Sequence, residues 1–278
     1  MLTHNLLLRI LTGVPLAVVA ILYFYLAPEF LFILIAVGII TVGIWEYTQA
    51  FSQTSIPLKS AYLYFSSLLL FLSFVLFWKN YTDYGLISFG LTLLAVLLFS
   101  ILKKRDRENQ LLLWYSLPLV WIVFPVILLV LLRFSISTAS GSSLILFIIV
   151  VAAFNDIFAY FGGKTLGKHL LAPRVSPKKT IEGSLFGLVG GVIAGYIFKL
   201  LFLPSFIAGW QLVLLIVVVA AASQLGDLAE SKLKRFCGIK DSSNILPGHG
   251  GLLDRIDGYL FAIPVFISMT YLLNIQLN

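Results

Sequence analysis

Residues 206–236 read FIAGWQLVLLIVVVAAASQLGDLAESKLKRF, and the rule governing the stretch changes at Gly226. Up to that glycine the run is continuously apolar for about 20 residues, the length an α-helix needs to cross the hydrocarbon core of a bilayer. A membrane β-strand would instead alternate in short segments. Past Gly226, Asp227, Glu230, Ser231 and Lys234 fall at i, i+3, i+4 and i+7. A helix continued beyond the apolar part would carry all four on one face. The polar run then extends through a glycine-rich segment to Asp257 and holds a large share of the 31 charged side chains of the chain.

The apolar rule repeats along the 278 residues, of which 60% are hydrophobic and 11% charged, with a mean hydropathy of +1.03. That composition excludes a water-soluble domain. Nine candidate spans follow at about 10–27, 30–46, 60–78, 84–102, 111–132, 142–162, 183–203, 206–226 and 254–275. The first, with Arg9 ahead of an apolar run too long for a signal peptide, is expected to be retained. With nine spans and an inside N-terminus, 16 of the 19 Lys and Arg residues fall in inside segments and 3 in outside ones. This is the bias that sets topology in membranes. The expected fold is therefore an all-α polytopic membrane protein with a cytoplasmic N-terminus. The net charge of +7 is assigned to the cytoplasmic face and its anionic lipids, not to nucleic acid. The chain divides near Thr138 into a scaffold half, 1–137, with five spans nearly free of charge, and a working half, 138–278, with four. No long linker separates them, so they form one integrated membrane domain.

Three polar constellations lie in the working half. Asn155-Asp156 precedes Tyr160, which shares a helix face with Asp156. An acid within a span faces a bundle interior or a watery cavity, either as a ligand or as a structural hydrogen-bond partner. Second, Ser176-Pro177-Lys178-Lys179-Thr180-Ile181-Glu182-Gly183 leads into a span, gathering hydroxyls, lysines and free N–H groups at a helix start, which favours phosphate. Thr180 or Ser176 would also serve as a plain helix cap. Behind it Gly183, Gly187, Gly191 and Gly195 recur every four residues, a face for close helix packing. The third constellation is the polar run, with Pro247-Gly248-His249-Gly250-Gly251 and then Asp254-Arg255-Ile256-Asp257. Carboxylates with His4, His169, His249 and Cys237 as the whole stock of imidazoles and thiols suit a hard cation such as Mg²⁺, held by one or two acids and substrate phosphates. A salt-bridged cap is the plain alternative, but such exposed pairs contribute about 0–1 kcal/mol and need no such glycines. The active site is expected at the cytoplasmic membrane boundary.

At these residues the chain resembles the phosphatidate cytidylyltransferase (CDP-diacylglycerol synthase) family. The pattern S-x-x-K-R-x-x-x-x-K-D is filled by Ser231, Lys234, Arg235, Lys240 and Asp241, and P-x-H-G-G-x-x-D-R-x-D by Pro247, His249, Gly250, Gly251, Asp254, Arg255 and Asp257. Ser176 to Gly183 is similar to the family's S-P-K-K-T-x-E-G segment, and Asp156 to Gly163 to its D-x-x-A-Y-x-x-G stretch. Gly258 stands where a serine is expected. The resemblance implies conversion of CTP and phosphatidate to CDP-diacylglycerol and pyrophosphate with Mg²⁺, a second cation being left open. It also implies a cavity open to cytoplasm and bilayer, and a homodimer.

On this reading Asp227, Asp254 and Asp257, with Asp156, serve the metal centre. Lys178, Lys179, Lys234, Arg235 and Arg255 hold phosphates, and His249 contacts a phosphate or the base. Ser176, Thr180, Glu182, Ser231, Lys240, Asp241, Gly250 and Gly251 complete the substrate site. The expected location is a bacterial inner membrane. Two other activities compete: cytidylyl transfer to another lipid phosphate, such as an isoprenoid glycerol ether, and, remotely, ion-coupled transport. Transport would call for repeated halves and a midplane site, which the sequence lacks. An enzyme joining an alcohol to a CDP-lipid would need a different aspartate pattern.

Overall fold

The computed structural model describes residues 22–54, 56, 58–79, 108–134, 138–203, 205–245 and 250–275. The expected span 84–102, most of 10–27, and His249 lie outside them. Eight helices can be numbered: α1 (Glu29–Ser52), α2 (Ser60–Trp78), α3 (Glu108–Pro118), α4 (Phe124–Phe134), α5 (Thr138–Leu166), α6 (Ile181–Phe202), α7 (Trp210–Phe236) and α8 (Leu253–Leu272). A π-helical turn, Leu119–Val123, joins α3 to α4 into one apolar rod. Among the described residues six helical segments, counting this rod once, are long and apolar enough to cross a membrane. α8 is apolar beyond the charges of its first turns.

The expected edges are extended where amphipathic helix continues past the apolar run. α1 runs on to Ser52, so that Glu46 lies inside the helix and not at its end. α7 continues ten residues beyond Gly226 to Phe236, which places Asp227, Glu230, Ser231 and Lys234 on a helix as their spacing requires. Its start moves to Trp210 because Gly209, at φ +71°, turns the chain.

One proline within the rod, Pro118, is compensated. Pro118 has no N–H to give to the carbonyl of Trp114 four residues back. The Tyr47 hydroxyl of α1 donates to that carbonyl instead at 2.9 Å.

The glycine stripe is a packing face. A Cβ on Gly183 would sit 2.7 Å from the Ala159 carbonyl, one on Gly187 2.7 Å from that of Asn155, and one on Gly195 2.8 Å from the Val151 side chain. α6 therefore lies directly on α5. Likewise a Cβ on Gly226 would meet the Asp257 carbonyl at 2.5 Å, which marks where α7 crosses α8. The core between them is apolar and aromatic, with Phe147, Ile216 and Phe266 fully buried.

One feature corrects the all-α expectation. Between α5 and α6 the chain forms an antiparallel ribbon, β1 (Leu170–Ala172) with β2 (Ser176–Thr180), Leu170 opposite Thr180 and Ala172 opposite Ser176. Pro177 favours extended backbone at and before itself, so the stretch expected as a loop is a strand. The Ile181 N–H donates to the His169 carbonyl (2.9 Å) and fixes the ribbon to the start of α6.

Candidate active site

A cavity of about 530 Å³ opens between α5, α6, α7 and the ribbon. Asp156 and Tyr160 line it from α5, Lys178 and Lys179 from β2, Thr180 from the start of α6, and Gln224 and Asp227 from α7. Ser176, Gly183, Ser184 and Lys164 complete the polar wall. Asp156 lies ten residues before the end of α5, about 15 Å of helix at 1.5 Å per residue, so the cavity reaches down among the spans.

The floor is fixed by a chain of amides. Gln224 donates to Asn155 Oδ1 (2.6 Å) and to the Ser184 carbonyl (3.0 Å), and accepts from the Ser184 hydroxyl. Asn155, fully buried, in turn donates to Asp156 Oδ1 at 3.2 Å. Inside a bilayer such groups must be satisfied internally, and satisfying them here aims the Asp156 carboxylate. Asp227 pairs with the Lys179 ammonium across the cavity and accepts from the Ser231 hydroxyl (3.3 Å). Asp156 and Asp227 are near enough to repel each other, as are Asp227 and Asp257, while Lys179 offsets the first pair. Thr180 caps α6 by accepting from the Gly183 N–H at 3.1 Å, as the plain reading had it, and lines the cavity as well.

A second cluster lies one turn further along α7. The Lys234 ammonium holds Glu230 Oε2 at 2.7 Å and Asp254 Oδ1 at 2.5 Å. Asp254 Oδ2 also accepts from the backbone N–H groups of Ser242 (2.9 Å) and Gly251 (2.8 Å). The two glycines here have spatial reasons. Gly250 adopts φ +82°, and a Cβ on it would crowd Asp254 Oδ2 at 2.7 Å, while one on Gly251 would overlap Ser242 and Glu46. A Cβ on Gly258 would come 2.5 Å from the Ser223 hydroxyl, which accounts for glycine at that position.

The remaining expected residues are spread around these two centres. Glu182 ties the ribbon together, accepting from the Lys168 and His169 N–H groups (3.0 and 3.2 Å) and contacting His169 Nδ1 at 2.6 Å, and it does not line the cavity. Arg235 donates to the Ile239 carbonyl at 3.2 Å. Lys240 and Arg255 are exposed. Asp241 lines a separate shallow groove with Trp45 and Gln49. Cys237, closing α7, is buried, and burial pushes its thiol up to about 11, which leaves it inert.

Glu46 was not anticipated. Its fully buried carboxylate accepts from the Ser243 hydroxyl (2.5 Å) and from the N–H groups of Leu252 and Leu253 (2.7 Å each). The Ser242 hydroxyl lies 3.2 Å from Glu46 and 3.0 Å from Asp254, one proton shared between two acids. In the sequence it stands only as an acid closing the expected span 30–46, where an ionisable residue is ordinary. Gln224 and Ser184 gave no sign either.

Among the described residues no three acids, histidines or cysteines converge as a ready-made metal cage. Asp227 and Asp254 each already hold an ammonium. This donor set fits Mg²⁺, which takes one or two carboxylates and completes its shell with substrate oxygens.

The model of the cytidylyltransferase family matches residues 7–273. A phosphatidate cytidylyltransferase of Haemophilus influenzae is 33% identical over 283 residues, covering 93% of this chain and 96% of that protein. Those of Bacillus subtilis and Staphylococcus saprophyticus are 47% and 42% identical over 125 and 127 residues, covering 45% and 46% of this chain and 46% and 48% of theirs. With a family match spanning nearly the whole chain, this multi-pass helical membrane protein belongs to the cytidylyltransferase family and is a nucleotidyltransferase.

Proposed function

We propose that the protein transfers the cytidylyl group of CTP to phosphatidate, giving CDP-diacylglycerol and pyrophosphate. The observation that carries this is the cavity that sets Lys178, Lys179 and Lys164 against Asp156 and Asp227. Its wall includes Tyr160, 64% exposed on the outer surface of α5, and Phe161 and Phe186 lie exposed nearby. In a bilayer those rings face lipid, so the cavity has one polar wall for a nucleotide and one flank for a lipid.

The nucleophile is a phosphomonoester oxygen of the lipid, already anionic because its second pKa is about 6. It attacks the α-phosphorus of CTP. A new P–O bond forms, the α–β anhydride bond breaks, and the electron pair leaves on pyrophosphate. No strong base is needed. The difficulty is bringing two polyanions together, and the chain meets it with fixed cations and positioned donors. Lys178 and Lys179, carried on β2, hold phosphate oxygens at the cavity mouth. Lys234, Arg235, Arg255 and His249 add positive charge or hydrogen bonds from α7, α8 and the segment between them. Asp227, Asp254 and Asp257, with Asp156, would hold Mg²⁺. When bound, the ion supplies charge neutralisation on the transferring and leaving groups. Ser231 orients Asp227, and Lys234 orients Asp254.

The polar ends of α5 to α8 form the cytoplasmic face in this reading, with nine spans, an inside N-terminus, and the site at the inner boundary of a bacterial inner membrane. The bias of 16 inside against 3 outside basic residues supports that orientation. A homodimer is the expected assembly. The test is direct: purified protein, CTP labelled at the α-phosphate, phosphatidate and Mg²⁺ should yield a labelled lipid and pyrophosphate. Label appearing on an isoprenoid glycerol ether phosphate and not on phosphatidate would overturn the choice of acceptor.

A further inference from the structure

We propose that Glu46 is a positioning residue for the transfer reaction, setting the start of α8 and through it Asp254 and Asp257. The proposal rests on the reading that those two acids serve the metal centre.

The first N–H groups of a helix have no partner within it. At the start of α8 no side chain of the local sequence caps the helix. Glu46 reaches in from α1 and accepts from both Leu252 and Leu253, placing a negative charge at the positive end of the helix dipole. The same carboxylate takes the Ser243 hydroxyl and shares that of Ser242 with Asp254. The interior of the segment between α7 and α8, at Ser242 and Ser243, and its last residue are thereby tied to one buried group. Asp254 is one residue into α8 beyond the second of these bonds, and Asp257 follows at i+3 on the same face.

A buried carboxylate is retained only when bonded, and here the bonds all go to the start of α8 and the segment before it. Gly251 is part of the same device, because any Cβ there would occupy the space of Ser242 and Glu46. The N-terminal half thus contributes to the site without touching substrate.

The test uses the full-length protein in detergent, with Glu46→Gln, Glu46→Asp and Ser243→Ala. Mn²⁺ binding is followed by electron paramagnetic resonance without substrates, beside the Mg²⁺ dependence of turnover and thermal unfolding. Glu46→Gln keeps the size but presents an NH₂ to a group of donors. Its Mn²⁺ affinity should fall about tenfold, the order expected when a supporting partner of a metal ligand is lost. The Mg²⁺ half-saturation should rise by a similar factor, with KM for phosphatidate unchanged. Glu46→Asp should recover part of the affinity, and Ser243→Ala should lose less than Glu46→Gln.

Folded variants that bind Mn²⁺ as the parent does would overturn the positioning role. So would a loss confined to folded yield, with the surviving protein binding normally. A parent that binds no Mn²⁺ and turns over without divalent ions would instead remove the metal reading, and the proposal with it.

Discussion

Two lysine–aspartate pairs hang from the polar face of α7, and their surroundings differ. In Lys179–Asp227 the side chains are 30% and 36% exposed and line the cavity. In Lys234–Asp254 they are 15% and 8% exposed, with Glu230 at 3% sharing the ammonium. The open pair joins two elements, β2 and α7, across a space a substrate can enter. The closed pair welds α7 to α8, so that Asp254 would serve the metal centre from a fixed position. Similar ion pairs thus divide the work: one can exchange partners when phosphates arrive, the other keeps the acids of α8 in register.

The largest expected effect is on the closed pair. Lys234→Met leaves Glu230 and Asp254 facing each other, buried, without their counter-ion. Removing one partner of a buried pair costs about 3–5 kcal/mol, so the thermal unfolding midpoint in detergent should drop sharply. An unchanged midpoint would show that the cluster is hydrated, and the contrast between the pairs would collapse. Next is Asp227→Asn in the open pair. An exposed ion pair contributes only about 0–1 kcal/mol to stability, so the variant should fold as the parent does. Its turnover should fall by about 100-fold or more, the scale of losing one electrostatic stabiliser of a transition state. Steady-state assays with CTP and phosphatidate check it, and retention of more than a tenth of the rate would take Asp227 out of the centre.

The open pair was largely legible in the sequence and the closed one only in part, for physical reasons. The apolar lengths gave α2 as Ser60–Trp78 to the residue, and glycines at intervals of four gave the α5–α6 contact. The i, i+3, i+4, i+7 pattern put Asp227 and Lys234 on one helix face, because helical periodicity is local. Glu46 was hidden because its partners lie about 200 residues along the chain, and no periodicity encodes that. The ribbon of β1 and β2 was missed because strands of three and five residues are too short to show alternation. A Cβ on Gly250 or Gly251 would meet Asp254, Ser242 and Glu46, contacts with no local signal in the sequence.

The smallest effect is also the most discriminating. Lys179 has two roles in the proposed cycle, and they pull in opposite directions. Before substrate arrives its ammonium occupies Asp227, where it competes with a divalent cation. After CTP binds it is expected to turn to phosphate. Lys179→Met should therefore lower the Mg²⁺ concentration needed for half-maximal rate by up to about fivefold, since a half-exposed pair is worth at most about 1 kcal/mol. At saturating Mg²⁺ the same variant should be slower by about tenfold, equivalent to some 1.4 kcal/mol of lost transition-state stabilisation. A Mg²⁺ titration of turnover at fixed CTP separates the two. If the half-saturating Mg²⁺ concentration does not fall, or the rate at saturating Mg²⁺ does not, Lys179 does not exchange between acid and phosphate. The open pair would then be a structural clamp like its buried neighbour, and exposure alone would not have told them apart.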